Sequence, residues 1–143
     1  MLQNTRIPIT ELRGILIVSV QTSLSDRLVA QLRDDITRRI TETNPHGLAI
    51  DLTGIDLMDS YISKTIRDIG MISRLMGVKT VISGMNPMIA MTLTEMGMDL
   101  APVESALNLD AAISLLEQAV NEQEDAIRDL DMIMDQEITD EDV

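Results

Sequence analysis

Residues 51–63 read Asp51-Leu-Thr-Gly-Ile-Asp-Leu-Met-Asp-Ser-Tyr-Ile-Ser63, and the reading of this stretch decides the fold. Leading into it, Gly47 to Leu52 (GLAIDL) is a short apolar run of the kind that forms a buried strand. Beyond it, Ile62, Ile66, Ile69 and Ile72 recur at spacings of four and three, which marks one face of an amphipathic helix. The polar residues in between form a turn from strand to helix, and Ser60 follows Asp59 at the start of that helix. The free backbone N–H groups of a first helical turn point outward, where negative charge is favoured. Two readings stay open on the residues alone. Either Asp59 or Ser60 simply caps the helix, which is the commoner arrangement, or Ser60 presents its hydroxyl as a phosphate acceptor.

Upstream, residues 7–12 (IPITEL) and 15–20 (ILIVSV) read as two strands split by the turn signal Arg13-Gly14, and they can pair as an antiparallel hairpin. Ser25 is placed to cap a helix from Asp26 to Thr43, whose Leu28, Val29, Leu32, Ile36 and Ile40 fit a period of 3.6. Asn44-Pro45-His46-Gly47 ends it. Downstream, the Ser60 helix runs to about Met76 and stops at Gly77. Residues 78–83 (VKTVIS) read as another strand. Asn86 then caps a helix with Pro87 in its first position, and that helix stops at Gly97. A short extended piece near Val103 leads to a last helix from about Leu109, capped by Asn108. The order ββαβαβα(β)α predicts an α/β fold: a mixed sheet of four or five strands with helices packed mainly on one face.

The 143 residues make one domain, expected over residues 1–120, followed by an acidic extension over 121–143. The extension carries ten acids and one base, so it holds −9 of the net charge of −13. Ala126, Ile127, Leu130, Ile133 and Met134 keep a helical stripe there, while residues 137–143 are expected to fray. The core must be aliphatic. The chain has no Phe or Trp, eleven Met and the single tyrosine Tyr61, which stands beside Ser60 as a candidate partner contact.

Several function classes fall away. No cysteine is present, so disulfides, thiolate catalysis and zinc–thiolate sites are excluded. No apolar run nears the ~18 residues of a membrane span, and residues 1–10 lack a signal-peptide pattern. A soluble, cytoplasmic protein is expected, with no membrane partner. The body is mildly acidic, against the basic surface that nucleic acid requires. His46 is the only histidine and sits in a turn. No P-loop, GxGxxG or GxSxG occurs. Asp51, Asp56 and Asp59 are the only carboxylate cluster near a helix start, and a divalent ion would need further oxygen ligands than these. No enzyme activity, metal or cofactor is expected.

The loop Asp51-Leu-Thr-Gly-Ile-Asp56 with Asp59-Ser60 resembles the phosphorylation loop of STAS domains, the anti-sigma-factor-antagonist fold. Three further segments carry the same resemblance: Ile7-Pro-Ile9 with Leu16-Ile-Val-Ser-Val-Gln21; Ser73-Arg-Leu-Met-Gly-Val-Lys79; and Ser83-Gly-Met-Asn-Pro87 leading to Met91-Thr-Leu-Thr-Glu-Met-Gly97. It covers about residues 5–120 and is nearest to the RsbS-type scaffolds of the bacterial stressosome. Such proteins are non-catalytic. The resemblance implies homo- and hetero-oligomers with RsbR-type paralogues, a bound serine/threonine switch kinase of the RsbT type, and a resetting phosphatase of the RsbX type. Phosphorylation of the loop serine, matched here by Ser60, would release the kinase. Thr92 matches, less closely, a second phosphorylated threonine of the larger paralogues. Asp56, Asp59, Ser60, Tyr61, Lys64, Gly84 and Asn86 are the expected partner-binding residues. The alternative within the fold is a free antagonist that binds an anti-sigma kinase directly. The acidic extension is longer than the resemblance accounts for.

Overall fold

The computed structural model describes residues 6–21 and 23–141, with side chains through residue 136. In chain order the elements are β1 (Ile9–Leu12), β2 (Ile15–Ser19), α1 (Asp26–Thr43), β3 (Gly47–Asp51), α2 (Ser60–Leu75), β4 (Lys79–Ser83), α3 (Pro87–Glu95), β5 (Glu104–Ala106) and α4 (Leu109–Glu141). The β1–β2 hairpin closes through Arg13 and Gly14, both at positive φ (51° and 80°). A two-residue loop needs that backbone to match the twist of its strands, and glycine adopts it without strain. Pro8, which has no N–H to give a ladder, lies just outside β1, so that strand begins at Ile9 rather than Ile7.

Five strands form one sheet in the order β1-β2-β3-β4-β5, with β1 antiparallel and the other pairs parallel. Because each parallel strand is added on the same side of the last, right-handed crossovers send α1, α2 and α3 to one face. Leu16, Val18, Leu48, Ile50 and Ile82 of the sheet are buried in one cluster with Val29, Leu32 and Ile36 of α1, Ile62, Ile66 and Ile69 of α2, and Ile89 and Leu93 of α3. The alternate strand residues Ile15, Ala49 and Val81 face the other way, where Ala112 and Leu116 of α4 cover them. The sheet is therefore clothed on both faces, three helices against one. Gly47 shows how closely α4 sits: a Cβ there would lie 2.8 Å from Leu116 Cδ2.

Helix starts follow the caps read from the sequence. Ser25 accepts from the Leu28 N–H (3.1 Å), Asn86 from Met88 (2.8 Å) and Asn108 from Ala111 (2.8 Å). The last helix passes residue 120 without a break. The stretch 137–143, expected to fray, is helical through Glu141, and residues 142 and 143 lie outside the described residues.

Candidate functional site

The parallel strands β2, β3 and β4 end on the same edge of the sheet, so the loops into α1, α2 and α3 gather at one pole. The loop after β3 is held there by backbone and side-chain bonds. Asp51 accepts through Oδ1 from the Thr53 hydroxyl (2.6 Å), the Thr53 N–H (3.3 Å) and the Ser83 hydroxyl (3.3 Å). The Leu52 N–H donates to the Ser83 carbonyl (2.9 Å), and the Ile55 N–H to the Leu52 carbonyl (2.9 Å). Ile55 and Met58 are buried and pin the loop to the core. Gly54 is required by closeness, since a Cβ would come within 2.7 Å of the Val20 carbonyl oxygen.

Asp59 resolves the capping question. Its Oδ1 accepts from the Ile62 N–H (2.8 Å) and its backbone is extended, so Asp59 is the N-cap of α2. Ser60 is the first helical residue and is exposed. With the cap supplied by its neighbour, the Ser60 hydroxyl has no hydrogen-bond partner among the described residues. Nearby hydroxyls differ. Ser63 is buried and donates to the Asp59 carbonyl (2.8 Å), and Thr65 is buried and donates to the Tyr61 carbonyl (2.8 Å). Ser83 is buried against Asp51. Ser60 alone of this group is both accessible and uncommitted, and it stands at the positive end of a helix.

The other expected residues divide by role. Asp56, Tyr61 and Lys64 are exposed around Ser60, and Lys64 reaches Asp68 at 3.4 Å one turn along. Asn86 is engaged as the cap of α3. Gly84, at φ +70°, leaves no room for a Cβ beside Thr53 Oγ1 and Asp51 Oδ1, so it shapes the neighbouring turn. Thr92 is exposed, but its hydroxyl donates to the Met88 carbonyl (2.9 Å). Sequence reasoning missed Leu57, which is 81% exposed between Asp56 and Asp59, and the exposed Met88 and Met91 of α3. An apolar residue flanked by acids in a turn was the available sign for Leu57. Among the described residues no three His, Asp or Glu side chains gather where an ion could be held. None of their helices is long and apolar enough to cross a membrane.

The sequence profile of the STAS domain matches residues 6–122, which takes in every strand and α1 to α3. The chain belongs to the STAS-domain family. Among solved structures, this STAS domain superposes on a serine-to-glutamate variant of Moorella thermoacetica RsbS with a TM-score of 0.73 and 29% identity, over 82% of this chain and 99% of that one. A chain from the molecular architecture of the stressosome, a signal integration and transduction hub, gives a TM-score of 0.65 and 28% identity over 79% of this chain and 98% of that one. In sequence, the RsbT co-antagonist protein RsbRD of Bacillus subtilis (strain 168) is 24% identical over 107 residues, 75% of this chain. The STAS domain described here spans 38% of the length of that relative. The same fold occurs in the anti-sigma-factor antagonist SpoIIAA, at 12% identity and a TM-score of 0.58.

Proposed function

We propose that the chain is a non-catalytic regulatory scaffold of a bacterial stress-signalling assembly. It co-assembles with RsbR-type paralogues and holds a serine/threonine switch kinase of the RsbT type on the pole around Ser60. Phosphorylation of Ser60 releases the kinase, and a phosphatase of the RsbX type resets the scaffold. The observation that carries this reading is the exposed, unbonded Ser60 hydroxyl at the start of α2, with Asp59 capping in its place. The likeness to RsbS and to a stressosome chain supports it.

The chemistry is local. A phosphoryl group adds about −1.5 to −2 charge at neutral pH. It would stand beside Asp59 and near Asp56, while the α2 N-terminus offsets only about 0.3–1 kcal/mol of the resulting cost. The docking surface we assign is Asp56, Leu57, Asp59, Ser60, Tyr61 and Lys64, with the turn at Gly84 and Asn86 beside it. A bulky dianion in its middle weakens binding without any change of fold. The test is gel filtration of the chain mixed with an RsbT-type kinase. The kinase should co-elute without ATP and separate with ATP, and it should stay bound to Ser60→Ala under both conditions. Release of the kinase from Ser60→Ala by ATP would overturn the mechanism.

A further inference from the structure

The second half of α4 is a long helix with nothing of its own domain beneath it. Every residue from 121 to 136 is exposed. A helical stretch of this length is marginal in water unless its apolar face is covered, and Ile127, Leu130, Ile133 and Met134 are each more than half exposed. Their spacing says what kind of cover fits. Val120, Gln123, Ile127, Leu130 and Met134 alternate steps of three and four, the seam of a coiled coil. β-Branched Val120 and Ile127 occupy one seam position, and Leu130 the other. On one shoulder of the seam lie Ala126 and Ile133, and on the other Glu124 and Asp131. Such a seam takes knobs from a helix with the same period, and the chain itself supplies one. The acidic outer face, with Glu122, Asp125 and Asp129, argues against an anionic lipid surface.

The domain fixes the direction of the pair. At ~100° per residue the seam lies within about 40° of Leu116 and Ala112, which are buried on the sheet. The stripe therefore continues the face that packs on the domain and overshoots the sheet edge. A parallel partner helix, followed back along that face, would run into the sheet. An antiparallel partner occupies the overhang alone. The overhang also leaves from the pole opposite Ser60, because Leu116 sits against Gly47, the first residue of β3, and Glu117 pairs with Arg13 of the hairpin turn (3.2 Å).

We propose that residues 120–136 of α4 dimerise with a second copy of this chain as an antiparallel coiled coil, with Ile127 opposite Leu130 and Gln123 opposite Met134 of the second copy. The interface leaves the Ser60 pole open, and the proposal does not rest on the switch reading. Since Glu124 and Asp131 meet their own kind along one flank, added salt strengthens the pair.

The chain has no cysteine, so engineered thiols report the geometry alone. In an antiparallel pair two Met134 positions lie about 16 Å apart along the axis, beyond disulfide reach. Full-length Met134→Cys alone should therefore give no covalent dimer under mild oxidation, while Met134→Cys mixed with Gln123→Cys should cross-link. Cross-linking of Met134→Cys with itself would overturn the orientation. By sedimentation equilibrium of the full chain, Ile127→Asp with Leu130→Asp should halve the mass relative to wild type while the melting temperature of the domain is kept. An unchanged mass would overturn the interface. Raising sodium chloride should lower the dissociation constant of this self-association severalfold, and a rise instead would overturn the antiparallel pairing that brings Glu124 and Asp131 against their own kind.

Discussion

Asp59 is the residue whose substitution most sharply separates structure from recognition at the Ser60 pole. Its carboxylate oxygen accepts the Ile62 N–H at 2.8 Å, and among the described residues nothing else satisfies that donor at the start of α2. Replacing an N-cap by alanine costs about 1 kcal/mol, within a range of roughly 0.5–2. For a chain of this size that is a fall of about 3–5 °C in melting temperature. Asparagine keeps the accepting oxygen and loses only the favourable charge at the helix start, about 0.3–1 kcal/mol. Urea unfolding of Asp59→Ala and Asp59→Asn, followed by far-UV circular dichroism, reads both values. Alanine should lower the midpoint clearly, and asparagine should lower it by less. The same pair then serves in kinase binding. Asp59→Asn keeps the helix start in place, so any loss of binding it shows belongs to the missing charge. Equal destabilisation by the two substitutions, or none by alanine, would refute the capping role and with it the reason the Ser60 hydroxyl is left free.

Other substitutions test neighbouring parts of the same architecture. Gly84→Ala should destabilise by about 2 kcal/mol or more, because its φ of +70° is left-handed and a Cβ would meet Thr53 Oγ1 and lie 2.8 Å from Asp51 Oδ1; a neutral result in thermal melts would contradict that packing. Thr80→Val should stabilise by about 1 kcal/mol, since the buried Thr80 hydroxyl has no hydrogen-bond partner among the described residues, and a lower urea midpoint would show that the hydroxyl is satisfied. Truncation after Val120 should leave the melting temperature within a few degrees and phosphorylation of Ser60 intact, because the buried α4 residues Ala112 and Leu116 remain. A truncated chain that fails to fold would place the extension in the core.

The elements were legible where local chemistry and periodicity agree. Ser25, Asn86 and Asn108 could be read as caps because each precedes an apolar 3.6 period, and each has its bond. The Arg13-Gly14 turn was legible through Gly14 between two apolar runs, because glycine takes a positive φ without strain. The placement of α4 on the far face was not, because an isolated amphipathic stripe does not say which side of a sheet it covers. That follows only from the strand order, which leaves the last helix free of a crossover. Within the site, Asp59 and Ser60 could not be told apart by sequence, since both residue types cap helices; the backbone decides it by beginning the helix at Ser60. Leu57 and Met88 escaped because exposure of an apolar side chain depends on tertiary packing, not on its own type.

The most direct measurement is phosphopeptide mapping of the wild-type chain after incubation with an RsbT-type kinase and ATP. The phosphate should lie on Ser60, with Ser63 and Ser83 unlabelled because they are buried and hydrogen-bonded. Label found chiefly on Ser63, Ser83 or Thr92, with Ser60 unmodified, would contradict it.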